Sequence, residues 1–293
     1  MTPAIVTEKL YARQGRFALG PLDFSAPRGA ITALIGPNGA GKTTLLDLLM
    51  GLGRAQSGRI ELLGLTQPRD DAAIKARVAY VNPDLNYAVW GTVGRALDFV
   101  RGFYPDWDEA RCARLLTAFE LARGQKIAAL SFGARIKLAL TMALAREAEL
   151  LLLDEPTIGL DVNARRVLFH ELLEVVKAEN RAVVISSHQL SDLERLADHC
   201  AILANGRLAA TAPMDGLLAR YVQVDAVCAG RLLETPGARL IARNGDRVRL
   251  LLERARCDEA ALAAQGVRVV AEVPLNLEDL FVALTAEPLE AAA

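Results

Sequence analysis

The sequence predicts an α/β fold built around a parallel sheet, and three stretches of the chain carry this prediction. Ala30–Ile35 is a short apolar run that leads into a glycine-rich loop and an apolar helix. Leu150–Leu153 is a run of leucines that ends in two acids, and Ala182–Ser186 is an apolar run that ends in Ser187 and His188. Uninterrupted apolar runs of this length are typical of strands buried on both faces, as in parallel sheets covered by helices.

Length and composition limit the kinds of protein that this chain can be. At 293 residues the length favours about two domains. The 34 basic and 35 acidic residues leave a net charge of −1, which gives no general attraction to nucleic acid. Apolar stretches such as Leu138–Ala145 are shorter than the roughly 18–20 residues of a membrane span, and no signal peptide is indicated. The four cysteines are scattered, so we expect a cytoplasmic protein.

The glycine-rich loop after the first strand has the sequence GPNGAGKTT and is followed by an apolar helix. Glycines let successive N–H groups turn toward a phosphate, and the helix N-terminus adds partial positive charge. Lys42 can reach the β- and γ-phosphates, and the Thr43 hydroxyl can ligate Mg²⁺. The loop predicts ATP and Mg²⁺ as ligands, and the absence of an Asn-Lys-x-Asp guanine motif argues against a GTPase. The expected nucleotide contacts are Gly36, Asn38, Gly39, Ala40, Gly41, Lys42, Thr43 and Thr44.

Two acids follow the leucine strand, at the end where α/β sheets bind their ligands. Asp154 is expected to hold Mg²⁺, directly or through water. Glu155 points to the opposite face of the strand, so the two carboxylates cannot share one role. Glu155 therefore fits the base that orients and polarises an attacking water.

Leu130–Asp161 and the loop at Gly36–Thr44 together resemble the nucleotide-binding subunits of ABC transporters, and the resemblance extends from about Leu10 to Thr285. It implies an ATP-hydrolysing cassette with a P-loop NTPase (RecA-like) core over residues 1–220. An antiparallel β subdomain is expected at about 4–35 and 59–63, and a helical subdomain at about 92–146. A hairpin is expected around Asn205-Gly206-Arg207. From Tyr221 the composition changes to short strands and turns, which indicates a small α+β accessory domain over 221–293.

The resemblance also implies roles for three more residues. His188 lies where ABC ATPases place a histidine that contacts the γ-phosphate, so it is a third catalytic candidate beside Glu155 and Lys42. Tyr11 lies where these cassettes carry an aromatic that stacks on adenine, with ordinary sheet packing as the alternative. Asp161 ends a turn that lies across the dimer interface in the family.

Leu130-Ser131-Phe132-Gly133-Ala134 resembles the ABC signature loop Leu-Ser-Gly-Gly-Gln. In the family this loop contacts the γ-phosphate bound by the other subunit, so hydrolysis would require a dimer. Ser131 and Gly133, the expected contacts, are retained, whereas Phe132 and Ala134 depart from the pattern. We expect a second cassette as partner, either another copy of this chain or a related one.

A second departure concerns the glutamine that cassettes carry after a strand resembling Ala79-Tyr80-Val81. An ungapped count places Pro83 there, and proline has no side-chain atom that can contact Mg²⁺ or water. Two alternatives stay open: Asn82 or Asp84 takes its place, or the site relies on Glu155 alone.

Close to the C-terminus lies LNLEDLFVALT (275–285), where Leu277, Leu280, Phe281 and Leu284 share one helical face. This ending resembles ATPases paired with type 2 ABC exporters, which implies a separate membrane permease and a peripheral location on the inner face of the membrane. The permease is expected to contact the region from Tyr80 to Tyr104 through exposed Tyr87, Val89 and Trp90.

Two other functions stay open at this point. A regulatory cassette would bind ATP with little hydrolysis; Pro83 and Ala134 favour it, and Glu155 and His188 oppose it. A soluble ABC protein of translation or DNA repair would usually carry two cassettes or a long coiled coil, and this chain has one phosphate loop and no heptad run.

Overall fold

The computed structural model describes residues 3–84, 87–177, 181–230, 232 and 235–286. In chain order the strands are β1 (Pro3–Gln14), β2 (Phe17–Leu22), β3 (Ser25–Pro27), β4 (Ile31–Ile35), β5 (Ser57–Leu62), β6 (Leu65–Thr66), β7 (Val78–Val81), β8 (Leu150–Leu153), β9 (Ala182–Ser186), β10 (His199–Ala204), β11 (Arg207–Pro213), β12 (Tyr221–Val227), β13 (Ala238–Asn244), β14 (Arg247–Glu253) and β15 (Arg268–Val273). The helices are α1 (Lys42–Leu49), α2 (Asp71–Arg77), α3 (Val93–Arg101), α4 (Glu109–Ala118), α5 (Phe132–Ala145), α6 (Val162–Lys177), α7 (Leu190–Leu196), α8 (Met214–Arg220), α9 (Glu259–Ala264) and α10 (Leu277–Thr285). None of the helices in this described part of the chain has the length and apolar character needed to cross a membrane.

A six-stranded sheet forms the centre of the molecule, in the order β11-β10-β4-β9-β8-β7. The strands from β10 to β7 run parallel, and β11 lies antiparallel at the edge. Every residue of β4, β8 and β9 is buried, as the apolar runs predicted. Because these three strands are neighbours, the glycine-rich loop, the acid pair and His188 all follow the same edge of the sheet. The predicted α/β fold is confirmed.

The two faces of this sheet bury different partners. In β4, Ile31 and Ala33 belong to the apolar cluster that contains α5 and α6, while Leu34 belongs to the cluster that contains α1 and β1. This alternation follows from the two-residue period of a strand. The phosphate-loop helix is therefore packed on one face, and the helix after His188 on the other.

A second, antiparallel sheet has the order β2-β1-β5-β6, with β3 paired to β1. It contains the predicted antiparallel element, but the expected span of residues 4–35 is too long. β4 leaves this sheet and pairs in parallel with β9 and β10, since Ile31–Ile35 is buried on both faces. The first segment of the antiparallel sheet therefore ends with β3, and β5 and β6 complete the sheet.

Helices α3, α4 and α5 occupy the region where a helical subdomain was predicted, and α4 and α5 pack on each other. The first two begin at side-chain caps. Thr92 accepts from the N–H of Arg95, and Asp108 accepts from the N–H of Arg111. Each cap therefore fixes the residue at which its helix begins.

The predicted hairpin joins β10 and β11, and Asn205 and Gly206 in its turn both have positive φ angles. Beyond it, β12–β15 form an antiparallel sheet in the order β13-β14-β12-β15, with α9 buried against it through Leu262. The α+β character predicted after Tyr221 agrees with these elements. The last helix, α10, returns to the main core, where Leu277 and Leu280 are fully buried.

Candidate functional site

The phosphate loop needs glycine at two positions because other segments of the same chain approach it closely. Gly41 precedes α1 with φ +106°, and a Cβ there would lie 2.9 Å from Cζ of Phe17. A Cβ on Gly36 would lie 2.5 Å from the carbonyl oxygen of Leu203 on β10. The two ends of the loop are therefore packed against β2 and β10, while Asn38 and Gly39 are exposed at its tip.

The ammonium group of Lys42 lies inside this loop. Its Nζ donates to the carbonyl of Gly36 at 2.7 Å and to that of Pro37 at 3.3 Å. The residue is only 8% exposed, so the charge sits where a bound phosphate would be enclosed by backbone N–H groups. Ala40 closes the loop through its N–H to Pro37 O at 3.1 Å, and Thr44 is half-buried on α1.

Thr43 and Asp154 form a pair of oxygen ligands beside the loop. Thr43 Oγ1 donates to Asp154 Oδ2 at 2.5 Å, and Ser186 Oγ donates to Asp154 Oδ1 at 2.6 Å. Among the described residues, no three His, Cys, Asp or Glu side chains gather as a metal cluster. The two oxygens suit Mg²⁺, which is usually held by one or two protein ligands together with substrate phosphates and water.

Glu155 and His188 are directly hydrogen-bonded, with 2.8 Å between Glu155 Oε2 and His188 Nδ1. Glu155 has a left-handed φ of +48°, and its N–H donates to Ser186 Oγ at 2.9 Å. This backbone turn directs the carboxylate away from Asp154 and toward the histidine. The Glu155 side chain is 15% exposed and that of His188 is 59% exposed, so the pair borders solvent. Such a carboxylate can accept a proton from a water molecule.

The signature-like loop forms the N-terminus of α5. Ser131 is the cap residue, and its Oγ accepts the N–H of Ala134 at 3.2 Å. A Cβ on Gly133 would lie 2.1 Å from the carbonyl oxygen of Gly159, so the two backbones are in direct contact. Phe132 lies on the same turn and is 40% exposed.

Asp161 ends this turn and is held by α5 and by the start of α6. Its Oδ2 lies 2.8 Å from Lys137 Nζ, and its Oδ1 accepts the N–H of Ala164 at 2.8 Å. The Lys137 ammonium, followed by the Ala164 N–H, lowers the pKa of Asp161 to about 2. The carboxylate is therefore ionised at neutral pH.

The predicted site residues thus fall into two groups. The phosphate loop, Asp154, Glu155 and His188 lie together, whereas Ser131, Gly133 and Asp161 form a separate group. No hydrogen bond or ion pair between described side chains joins the signature loop to the phosphate loop. This separation is what a site completed by a second subunit requires.

Tyr11 lies on β1, opposite Ser57 of β5, and is half-buried. Its predicted stacking on adenine stays a prediction. The aromatic ring that contacts the phosphate loop is Phe17, at the start of β2 beside Gly41. No local motif in the sequence marks Phe17, because the contact depends on how β2 folds back on the loop.

The residues around Pro83 form a hydrogen-bonded chain that the sequence analysis missed. Asn82 Nδ2 donates to Tyr80 Oη at 3.0 Å, and Tyr80 Oη donates to Asp47 Oδ1 on α1 at 2.9 Å. Asn82 Oδ1 accepts the N–H of Asp84 at 2.7 Å. Both ends of the Asn82 amide are therefore engaged, and the Asp84 residue is exposed.

This chain of bonds ties the strand before Pro83 to the phosphate-loop helix. Burial raises the pKa of Asp47, and the carboxylates of Asp154 and Asp84 raise it further. The hydrogen bonds that link Asp47, Tyr80 and Asn82 could not be predicted from the sequence, because Asp47 is far from the other two along the chain and the three residues form no motif. Whether Asn82 or Asp84 replaces the missing glutamine stays a prediction.

An aromatic cluster follows, made by Tyr87, Trp90, Phe99 and Phe103. The ring centroids of Tyr87 and Trp90 are 5.8 Å apart, and those of Trp90 and Phe99 are 5.1 Å apart. The expectation that Tyr87 and Trp90 are exposed is wrong: both are half-buried against the core, and burial raises the pKa of Tyr87 to about 12. The exposed apolar side chains here are Val89 (82%), Phe99 (49%) and Phe103 (66%).

Comparison with known proteins gives a consistent set of matches. The sequence profile of a family described as "ABC transporter" matches residues 19–158. The chain is 30% identical to Nod factor export ATP-binding protein I of Ralstonia nicotianae, over 97% of this chain and 94% of that protein. A solved ATP-binding subunit of an ABC transporter matches with a TM-score of 0.64 and 28% identity, over 73% of this chain and 91% of that one. A dimeric ATP-binding cassette in a post-hydrolysis state with ADP and Pi shares the fold, with a TM-score of 0.62 and 19% identity, over 72% and 98% of the two chains.

Proposed function

The chain belongs to the ATP-binding subunits of ABC transporters, and we propose that it is the motor of an exporter whose membrane permease is a separate protein. It binds ATP and is an ATPase. The observation that carries the proposal is the 2.8 Å Glu155–His188 pair beside the hydrogen bond of Thr43 to the buried Asp154. The relative named for Nod factor export matches 97% of the chain, which supports the exporter direction.

Thr43 and Asp154 would hold Mg²⁺ through their side-chain oxygens. A bound Mg²⁺ would neutralise part of the negative charge on the β- and γ-phosphates. Asp154 is 2% exposed and is held in place by Ser186, so its orientation does not depend on solvent. Lys42, whose ammonium lies inside the loop, would bind the β- and γ-phosphate oxygens.

Glu155 is the proposed base. Its carboxylate would orient a water molecule and accept a proton as the water oxygen bonds to the γ-phosphorus and the bond to the bridging oxygen breaks. His188, bonded through Nδ1 to the carboxylate, would direct its other ring nitrogen toward the γ-phosphate. The left-handed backbone at Glu155 supports this arrangement, because it places the carboxylate next to the histidine.

The second group of residues would act on the ATP of a partner cassette. Ser131 and Gly133 lie at the N-terminus of α5, which carries a partial positive charge suited to a phosphate. Asp161 lies on the adjoining turn. We propose a homodimer, with a heterodimer of two related cassettes as the alternative.

The permease would bind at the aromatic cluster, where Val89, Phe99 and Phe103 expose apolar surface. Exposed apolar patches of this kind mark protein contacts. This contact would hold the chain at the inner face of the cell membrane. We also propose a cassette at 1–220, with a helical subdomain at 92–146, and an accessory domain at 221–293, of which 231, 233–234 and 287–293 lie outside the described residues.

ATP turnover by the wild type and by Glu155→Gln tests the motor proposal. An active wild type, with an inactive E155Q protein that forms an ATP-bound dimer, is the expected result. Equal and negligible rates would favour a regulatory cassette, the alternative that Pro83 supports because its side chain offers no polar atom.

A further inference from the structure

Helix α10 is fixed at both ends by side chains from different parts of the molecule. At its N-terminus, the N–H of Leu277 donates to Glu194 Oε2 of α7 at 3.0 Å. At its C-terminus, Arg239 of β13 donates from Nη1 to the carbonyl of Leu284 at 3.1 Å, and from Nη2 to that of Ala286. An acid at the N-terminus and a cation at the C-terminus both suit the helix dipole. The helix therefore joins the C-terminal sheet to α7.

Helix α7 is held by its contact with α10, by packing on β4 and by an ion pair of 3.5 Å between its Asp192 and Arg165 of α6. It is seven residues long and begins two residues after His188. Within the described part of the chain, the side chain of Gln189 gives it no capping hydrogen bond. A helix this short has little stability of its own, so packing must hold it. The apolar residues that pack α7 and α10 into one cluster are Leu190, Leu193, Leu196, Leu277, Leu280 and Ala283.

A cleft open to solvent lies beside the N-terminus of α7. A cavity of about 350 Å³ lies between the loop of His188 and α10, and it is lined by His188, Arg165, Phe281 and Val282 among others. The ring of His188 is therefore not enclosed from this direction, and its placement follows from the loop that leads into α7.

We infer that Glu194 is a positioning residue for His188, and that α10 makes the geometry of the Glu155–His188 pair depend on the C-terminal sheet. The inference rests on the proposed part of His188 in hydrolysis. If α7 shifts, the loop that carries His188 shifts with it, and the hydrogen bond to Glu155 is lost. Glu194 does not contact this pair, so it acts only through α7.

The test measures ATPase activity and the NMR signals of the histidine rings in the full-length protein. The chain has three histidines, so the Hε1 signal of His188 can be assigned with a His188→Ala variant. We expect Glu194→Ala to shift this signal, to lower kcat about tenfold and to leave the KM for ATP within about twofold. Glu194→Gln should retain activity within about twofold, because its amide oxygen can still accept from the Leu277 N–H.

Two comparisons separate positioning from a general loss of stability. Asp258→Ala removes a similar capping acid from α9, where Asp258 Oδ1 accepts the N–H of Ala261 at 3.0 Å, and should leave the His188 signal and kcat unchanged. In an H188A background, E194A should lower kcat no further, because both changes act on the same step. Should E194A fail to fold, Arg239→Ala tests the other end of α10 with the same expected shift.

An unchanged His188 signal in E194A or R239A would overturn the inference. An equal loss of kcat with and without His188 would overturn it as well. Failure of the motor proposal is a different result, namely a wild type without turnover. In that case the NMR shift still decides whether Glu194 positions His188.

Discussion

Ser186 Oγ donates a 2.6 Å hydrogen bond to the buried carboxylate of Asp154, across the pair of strands β8 and β9. The same hydroxyl accepts the N–H of Glu155 at 2.9 Å. One side chain of the neighbouring strand therefore fixes both acids: the carboxylate of the first and the backbone of the second. This explains how two adjacent acids can serve separate functions.

Ser186→Ala should impair the ATPase through both acids. Removing the hydroxyl leaves a buried carboxylate oxygen without a partner, which costs about 1–3 kcal/mol. We expect kcat to fall about tenfold or more and the Mg²⁺ concentration for half-maximal activity to rise. Ser57→Ala, at an exposed position of β5, is the control. A normal Mg²⁺ dependence in S186A would contradict the prediction.

His188→Ala should lower kcat by about 10²-fold or more, because the hydrogen bond that holds Glu155 is removed. Since the two side chains act as one unit, E155Q combined with H188A should be no slower than the slower single variant. His170→Ala changes an exposed histidine of α6 and should retain the wild-type rate. Multiplicative losses in the double variant would show that the residues act independently.

Gly133→Ala should disrupt the contact between the signature loop and the turn at Gly159. Its Cβ would lie 2.1 Å from a backbone oxygen, so the two segments must separate, at a cost of about 1–3 kcal/mol. Thermal unfolding and ATP-dependent dimer formation, measured by light scattering, should both be impaired. Gly124→Ala is a matched control, because nothing lies within 4 Å of its Cβ position.

The ion pair between Lys137 and Asp161 predicts a pH-dependent contribution to stability. The pKa of Asp161 is lowered from 3.8 to about 2, so the pair stabilises the fold above pH 3.8 and the contribution is lost as pH falls through about 2. Wild type should therefore be more stable than Asp161→Asn at pH 6, and the difference should shrink between about pH 4 and 2. Urea unfolding at each pH measures it, and a constant difference would contradict the assignment.

Val89→Asp and Phe103→Ala should weaken binding to the permease without changing the basal ATPase rate of the isolated chain. Both side chains are exposed, and neither contacts the nucleotide site. Co-purification with the permease measures the effect. Leu52→Ala removes an apolar side chain of similar exposure (64%) elsewhere on the surface and should leave binding intact. Undiminished assembly in both variants would place the permease on another surface.

The chemistry of the site could be read from the sequence wherever one local segment carries it. The phosphate loop, the acid pair and His188 each follow an apolar strand, and strand, loop and helix are encoded by neighbouring residues. The contacts of Phe17, Asp47 and Ser186 with these groups were missed. Each joins residues that are far apart along the chain, and no local pattern specifies such pairs.

The exposure of individual side chains was also not predictable from the sequence. Tyr87 and Trp90 were expected on the surface as part of the permease contact, but both pack on the core, Tyr87 also on Trp90 and Trp90 also on Phe99. Burying an apolar ring against another apolar surface is favourable. Only the folded helix α3 supplies that surface.

The sequence by itself determined the family of this protein, the α/β core and the identity of the reacting groups, because these follow from short patterns of residue types. The tertiary structure decided how those groups are held. Ser186 fixes both acids, and the backbone of Gly133 contacts that of Gly159. Helix α10 follows the C-terminal sheet and packs on α7, where the N–H of Leu277 donates to Glu194. These contacts depend on strand order and helix packing, which only the folded chain establishes.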